Sequence, residues 1–291
     1  MKKFCINILS CLIFIFLIPP IAPSVQADAY NSNSAYDRTN GSEKAFNLAQ
    51  TIDDDAISIG PVQNPIPTNL QAIGRFANGD AISAGTAVVI GDYTLLTNNH
   101  LVEDTITNKG ARNYRPASPD KLFFYPMQTP NQTPYTFRVA SVHMIKGVDL
   151  AVVQTKEKLS DKIKPMPIAS EQSIDNMTFK DPISLVGYPK TKYFESRYPE
   201  LAKIKYRQLF ETNGFFLNVA KTSEPQFYIN AIARKGNSGS AIMNSNSELI
   251  GIYVSGFNNS GTSSFKYNVE EMGYGVALTK EVRKEVLAYK K

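Results

Sequence analysis

Short apolar runs separated by turn residues dominate this chain from residue 73 onward. Each run is only a few residues long and rich in β-branched or aromatic side chains, which is typical of strands. The runs form two series, at residues 86–90, 93–96, 122–125 and 136–139, and at residues 183–186, 226–229, 241–243 and 249–254. Such a pattern predicts closed antiparallel barrels. At the end of the chain, Val282, Val286 and Leu287 recur at helical spacing and predict a helix.

The stretch from Lys235 to Ile242 carries the strongest chemical signal. Its Ser238 is a hydroxyl between Gly236 and Gly239. Glycines let the backbone turn tightly, approach a substrate closely and leave N–H groups free to face a developing oxyanion. Taken alone, the pattern also fits a Gly/Ser surface turn between two strands.

Two upstream residues are the partners that a serine nucleophile requires. His100 ends a Thr-Asn-Asn-His stretch just past an apolar strand, and Asp149 enters the apolar run 150–153. A serine hydroxyl needs an imidazole to take its proton and a buried carboxylate to fix the imidazole's tautomer. The chain order His100, Asp149, Ser238 is that of the chymotrypsin fold and differs from the order in subtilisins and α/β-hydrolases.

Two alternatives to this interpretation are weaker. His143 is the other histidine of the chain, but it lies in an alternating segment without the Thr-Asn-Asn-His context, so His100 is the predicted base. An esterase or lipase on an α/β-hydrolase scaffold expects Gly-x-Ser-x-Gly and a histidine after the serine, and no histidine follows Ser238.

Six short motifs occur in a fixed order along the chain. They are Thr-Asn-Asn-His before residue 101, Gly-Val-Asp-Leu-Ala at 147–151, Gly-Tyr-Pro at 187–189, Gly-Asn-Ser-Gly-Ser at 236–240, the segment 244–252 and Tyr-Gly-Val-Ala at 274–277. Together they resemble the bacterial glutamyl-endopeptidase branch of the chymotrypsin-like proteases, where the staphylococcal glutamyl endopeptidase, the Spl proteases and the exfoliative toxins look most alike. The resemblance implies an all-β fold of two packed antiparallel six-stranded β-barrels with a C-terminal helix, and a secreted bacterial serine endopeptidase.

The same resemblance implies roles for individual residues. His100, Asp149 and Ser238 would form the catalytic triad, and the N–H groups of Gly236 and Ser238 the oxyanion hole. The residues that would line the primary substrate pocket are Ala233, Tyr253, Val254 and Ser255.

The implied pocket departs from that of its relatives. In the glutamyl endopeptidases a threonine before the serine and a histidine after it hold the substrate carboxylate, and this chain has Ala233 and Tyr253 at those positions. The preferred cleaved residue is therefore expected to be uncharged or apolar, not Glu. Tyr253 could still donate one hydrogen bond, and Arg234 or Lys235 could lend positive charge at the rim. The alternative function is a catalytically weak or silent relative that binds a host or envelope protein.

The first 27 residues have the pattern of a secretory signal peptide. A short positive start is followed by the apolar residues 6–18 and by Val-Gln-Ala ending at Ala27. Both cysteines, Cys5 and Cys11, lie in this segment, so the mature chain is expected to have no disulfide. A lipoprotein interpretation of Cys11 stays open, although the apolar region follows that cysteine where it should precede it.

The predicted organisation has four parts. Residues 1–27 form the signal peptide, 28–68 a propeptide or N-terminal arm, 69–166 the first barrel, and 167–291 the second barrel with the C-terminal helix. Residues 28–51 are rich in Asn, Ser, Asp and Ala with little periodicity and predict no core. We expect the chain to cross between barrels at residues 160–173, and residues 190–209 to form a surface loop.

Charge and metal-ligand content predict few partners. The net charge of +5 includes Lys2 and Lys3 of the signal segment and does not argue for nucleic acid or membrane. Two histidines and no mature cysteine leave no cluster with ligand spacing, so no metal and no cofactor are expected. The expected partner is a protein or peptide substrate, and the expected state is a monomer.

Overall fold

The structure is a computed structural model that describes residues 42–79, 83–104, 113–195, 197–220, 225–257 and 271–291. The predicted signal peptide and residues 28–41 of the arm lie outside the described residues. The strands are β1 (Ser58–Pro61), β2 (Ile73–Asn78), β3 (Ser83–Val89), β4 (Thr94–Thr97), β5 (Glu103–Asp104), β6 (Asn113–Pro116), β7 (Leu122–Pro126), β8 (Phe137–Met144), β9 (Ala151–Thr155), β10 (Pro182–Gly187), β11 (Phe210–Val219), β12 (Gln226–Asn230), β13 (Ala241–Met243), β14 (Leu249–Phe257) and β15 (Met272–Ala277). The α-helices are α1 (Ser42–Ala49), α2 (Asn99–Val102), α3 (Glu171–Asp175), α4 (Pro199–Ala202) and α5 (Lys280–Tyr289).

The first barrel closes through six antiparallel strands in the order β2-β3-β4-β9-β8-β7. Strands β4 and β9 are buried along their whole length. On β7, Leu122 and Phe124 are buried while their neighbours are half-buried, which is the alternation of a strand with one face in the core. The four runs predicted in this half coincide with β3, β4, β7 and β8.

The second barrel closes through β11-β10-β13-β14-β15-β12, because β12 pairs back onto β11. Strand β1, from the N-terminal arm, adds to this sheet by pairing with β11 from Ser58 opposite Asn213 to Pro61 opposite Phe210. The four runs predicted in this half coincide with β10, β12, β13 and β14. The predicted fold class, two closed six-stranded antiparallel barrels with a C-terminal helix, is confirmed.

The described part of the N-terminal arm packs against the second barrel. Helix α1 contacts β11 and β12, and it buries Ala45 and Ala49 completely or nearly so. Ile52 and Ile57 continue this buried face. The expectation of no core in residues 28–51 does not hold for residues 42–51, because small apolar side chains at helical spacing suffice to cover a sheet that is already formed.

The C-terminal helix joins the two barrels. The predicted helix is α5, whose Val282 and Val286 are buried, whereas Leu287 is 43% exposed. The end of the chain returns to the first barrel, where the N–H of Tyr93 donates to the carbonyl of Lys291 at 3.0 Å.

The chain crosses between the barrels where expected. The N–H of Met166 donates to Val89 in the first barrel at 2.9 Å, and that of Ala169 donates to Leu249 in the second at 3.0 Å. In the part of the chain described here, no helix has the length and apolar character to cross a membrane.

Candidate active site

His100 lies in helix α2, directly after the buried strand β4. Its Nδ1 is 2.5 Å from Oδ2 of Asp149, and its backbone N–H donates to Oδ1 of the same carboxylate at 3.0 Å. The Asp149 side chain is fully buried, while 22% of the His100 side chain is exposed. A buried carboxylate at Nδ1 keeps the proton on that nitrogen and leaves Nε2 as the basic one.

Two asparagine side chains hold the Asp149 segment against the start of α2. The amide of Asn98 donates to the carbonyl of Asp149 at 2.8 Å, and the amide of Asn99 donates to the carbonyls of Val148 at 2.7 Å and Ile145 at 3.2 Å. Both asparagines are buried. These contacts are the structural reason for the Thr-Asn-Asn-His context, a role that the sequence interpretation did not assign to the asparagines.

Ser238 lies in a tight turn of the second barrel. Gly236 and Gly239 have φ values of 106° and 82°, in the left-handed region that favours glycine. A side chain at Gly239 would collide with the carbonyl oxygen of Thr86. The Ser238 hydroxyl donates to the carbonyl of Val254 at 3.3 Å. Catalytic hydrogen bonds are often unformed before substrate binds, and rotation about one side-chain bond redirects this hydroxyl.

Thr86 of β3 joins the serine turn to the first barrel. Its N–H donates to the Ser238 carbonyl at 2.8 Å, and its Oγ1 donates to the Gly236 carbonyl at 3.1 Å. Its own carbonyl accepts a hydrogen bond from Oγ1 of Thr97 at 2.7 Å. Because Thr97 ends the strand that leads into His100, this one residue fixes the nucleophile's turn relative to the histidine. Sequence reasoning missed Thr86, since threonine in a strand is ordinary.

The four backbone N–H groups from Gly236 to Gly239 fall into two pairs. Those of Asn237 and Gly239 donate to the carbonyls of Arg234 and Tyr253, each at 2.9 Å. The N–H groups of Gly236 and Ser238 donate to no group within the described residues. Unpaired donors beside a nucleophile can stabilise the negative charge that develops on a carbonyl oxygen during acyl transfer.

A known peptidase domain matches the region of the chain that contains these residues. Residues 85–252 match the Trypsin-like peptidase domain. The chain belongs to the trypsin-like peptidase family. This trypsin-like peptidase is therefore a chymotrypsin-like serine protease, and the matched range contains all three residues of the candidate triad.

Solved structures show the same fold. A Glu endopeptidase in complex with MPD is similar over 79% of this chain and 95% of that chain, at 20% identity and a TM-score of 0.60. A protease from M. tuberculosis in its active form is similar over 76% of this chain and 81% of that chain, at 14% identity and a TM-score of 0.51. At these identities the likeness is one of fold alone.

Three of the four expected pocket residues, Tyr253, Val254 and Ser255, lie on β14. The Tyr253 ring is 3% exposed and packs against Gly273, which has no side chain to displace it. Burial raises the pKa of the Tyr253 phenol, so the group stays neutral. Ala233 is half-buried beside the core, Val254 holds the Ser238 hydroxyl, and Ser255 follows on the same strand opposite Tyr274.

Arg234 does not supply positive charge to the rim of the expected substrate pocket. It forms two hydrogen bonds with Glu271, from Nη1 to Oε2 at 2.7 Å and from Nη2 to Oε1 at 2.8 Å, and both side chains are almost fully buried. Burial raises the pKa of the Glu271 carboxyl, and the hydrogen bonds from Arg234 act in the opposite direction. The expectation of a positive charge from Arg234 is therefore wrong, because its charge is compensated inside the protein.

A second arginine extends this ion pair to the N-terminal arm. Arg197 lies 3.5 Å from Glu271 and 2.9 Å from Asp54. Residues around Arg197 fold into a 3₁₀ turn and α4, and Phe194 is fully buried under the guanidinium of Arg234. The segment expected to form a surface loop therefore also buries an aromatic side chain against Arg234.

The structure places His143 away from the serine turn. This histidine, on β8, contacts Glu285 of α5 at 2.5 Å and stacks on Tyr289 with ring centroids 3.7 Å apart. Across the described ranges, no group of three or more His, Cys, Asp or Glu residues is placed to hold a metal ion.

Proposed function

We propose that this protease is a secreted endopeptidase of the glutamyl-endopeptidase branch, that it acts through His100, Asp149 and Ser238, and that its preferred cleaved residue is not Glu. The observation that carries the catalytic assignment is the contact between His100 and the fully buried Asp149, linked through Thr97 and Thr86 to a serine turn in which two N–H groups have no acceptor among the described residues. A serine, a base and an orienting carboxylate are the three groups that acyl transfer needs.

The chemistry follows from these positions. Oγ of Ser238 attacks the substrate carbonyl carbon while Nε2 of His100 takes its proton. The N–H groups of Gly236 and Ser238 stabilise the oxyanion. The C–N bond then breaks, His100 gives its proton to the leaving amine, and an acyl-enzyme remains. Water, deprotonated by His100, attacks the acyl carbon and releases the acid and Ser238.

The pocket supports a preference for uncharged residues. A glutamate carboxylate would meet Ala233, which has no donor, and Tyr253, which has one neutral hydroxyl. Arg234 is already paired with Glu271. Burying a carboxylate without compensating donors is costly, so a Glu side chain is disfavoured.

A peptide-library digest with the purified protein tests both parts of the proposal. We expect cleavage at a defined uncharged or apolar residue, and no cleavage by the Ser238→Ala variant. A wild-type protein that cleaves nothing would favour the alternative of a silent relative that binds a host or envelope protein. Cleavage chiefly after Glu would refute the specificity while leaving the triad in place.

A double substitution tests the pocket directly. Ala233→Thr with Tyr253→His restores the side chains by which the glutamyl endopeptidases hold a carboxylate, and we expect the Glu/Gln ratio of kcat/KM to rise by at least about tenfold. Tyr253→Phe is the matched control, because it keeps the ring and adds no donor. An unchanged ratio in the double variant would place the primary pocket elsewhere.

Secretion is supported by the pattern of residues 1–27 alone. We expect the protein recovered from the culture medium to begin near Asp28. N-terminal sequencing checks this, and a lipid-modified Cys11 in the membrane fraction would establish the lipoprotein interpretation instead.

A further inference from the structure

Four cations cluster beside the serine turn. They are Arg75, Lys190, Lys192 and Lys235, which we call the cationic patch. Lys190 is half-buried, Lys192 and Lys235 are exposed, and Arg75 is 9% exposed. The N–H of Lys190 donates to the carbonyl of Lys235 at 2.7 Å, so these two residues lie side by side.

The patch adjoins the expected oxyanion hole. A side chain at Gly236 would come within 2.5 Å of the Tyr188 carbonyl oxygen and 3.0 Å of the Lys190 nitrogen. The backbone of Lys190 is therefore in contact with the glycine that donates to the oxyanion. Arg75 is held nearby, since its Nε donates to Gln128 at 2.5 Å and Tyr188 donates to the carbonyl of the same glutamine at 3.2 Å.

Carboxylates do not neutralise most of this patch. Of the ion pairs formed by the described residues, none involves Arg75, Lys190 or Lys192. Burial lowers the pKa of the Lys190 ammonium, and the charges of Lys235, Lys192 and Arg75 lower it further. A site where neighbouring cations repel one another gains when an anion binds.

The serine turn contacts β14 and the cationic patch through different residues. The carbonyl of Val254 on β14 accepts from the Ser238 hydroxyl, and the carbonyl of Tyr253 accepts from the Gly239 N–H. The segment 188–190 instead lies against Gly236. A peptide whose cleaved residue lies against β14, and whose carbonyl oxygen faces the Gly236 N–H, would have the residues after its scissile bond within reach of Lys190.

From this juxtaposition we infer that the protease prefers acidic residues just after the scissile bond, with Lys190 and Lys192 as the specificity-determining side chains. This inference rests on the proposed function, because it needs a bound and cleaved peptide. It names the substrate class more closely: a peptide with an uncharged residue before the cleaved bond and Asp or Glu in the first positions after it.

Paired peptides test the inference. Each pair shares the best cleaved residue from the library digest and carries either Glu or Gln at the first and second positions after it. We expect kcat/KM to be about fivefold higher for the Glu peptide at low salt, and this ratio to approach one in 1 M salt, where the screening length is only about 3 Å. The double variant Lys190→Gln/Lys192→Gln should lose the preference, while Lys190→Arg should keep it.

Lys284→Gln is the matched control, because it removes an exposed lysine on α5 and should leave the Glu/Gln ratio unchanged. A wild-type enzyme that cleaves both peptides equally would overturn the inference and leave the proposed function standing. A preference that persists in the double variant would also overturn it. If neither peptide of any pair is cleaved, and Ser238→Ala behaves like wild type, the proposed function itself fails.

Discussion

His100 and His143 each place a ring nitrogen 2.5 Å from a carboxylate oxygen, Asp149 in one case and Glu285 in the other. The carboxylates differ in exposure, since the Asp149 side chain is fully buried and that of Glu285 is 35% exposed. The histidines also differ in their other neighbours. His143 stacks on Tyr289. In contrast, Thr97 at the end of β4, just before His100, donates to the carbonyl of Thr86, and the N–H of Thr86 donates to the carbonyl of Ser238. Of the two, His100 alone pairs with a fully buried carboxylate and is linked through Thr97 and Thr86 to the serine turn, which is why we assign it as the base in the proposed mechanism.

The largest expected effect separates the two histidines. His100→Ala should lower kcat/KM for the best library peptide by about 10⁴–10⁶-fold, because serine and histidine act as one unit. His143→Ala should change it by less than about twofold. Of these two variants, only His100→Ala should lose labelling of Ser238 by an organophosphonate. Loss of labelling in His143→Ala, with His100→Ala still reactive, would reverse the assignment.

The carboxylates can be compared in the same way. Asp149→Asn should keep the side chain's shape but favour the wrong tautomer of His100, so we expect kcat to fall by about 10⁴-fold. Glu285→Gln is the matched change at the other pair and should leave kcat within about twofold. If the two substitutions have equal effects on kcat, burial of the carboxylate is not what distinguishes the pairs.

The second pair should matter for stability. We expect His143→Ala to lower the free energy of unfolding by about 1–2 kcal/mol, because it removes the stack on Tyr289 and the contact that ties α5 to the first barrel. His143→Phe should retain part of this stability through the ring. Urea unfolding followed by fluorescence measures both, and an unchanged midpoint in His143→Ala would show that α5 is held by its buried valines alone.

The smallest expected effect is that of metal removal. We expect an excess of chelator to leave kcat/KM within error, because acyl transfer by these residues needs no metal. Loss of activity in chelator that is restored by adding back a metal ion would show that the enzyme needs a metal and would contradict this expectation.

Much of the fold could be predicted because its strands are short apolar runs bounded by turn residues. The candidate triad could be proposed from the sequence because local context distinguishes its members: two amide side chains precede His100, and two glycines flank Ser238. Strand β11 was harder to find, since Asn213 and Gly214 interrupt its apolar pattern. Helix α1 is held by alanines, whose burial has no strong signature in a polar stretch.

The long-range polar contacts could not have been predicted. Arg234 and Glu271 stand 37 residues apart, and either could equally be a solvated surface charge. Thr86 looks like any strand threonine until its hydrogen bonds to both barrels are known. Such pairings depend on which strands become neighbours, and a single sequence carries no signal for that choice.

The seating of β1 on β11 limits how far the N-terminus can be trimmed during maturation. Along one side of β11, β12 covers the backbone from Phe215 to Val219 and β1 covers it from Phe210 to Asn213. Removal of residues 28–68 as a propeptide would uncover four residues of strand edge next to a buried phenylalanine, and such an edge is a template for aggregation. We therefore expect any activating cleavage to fall before Ser58, so that the mature enzyme keeps the strand that covers this edge of β11.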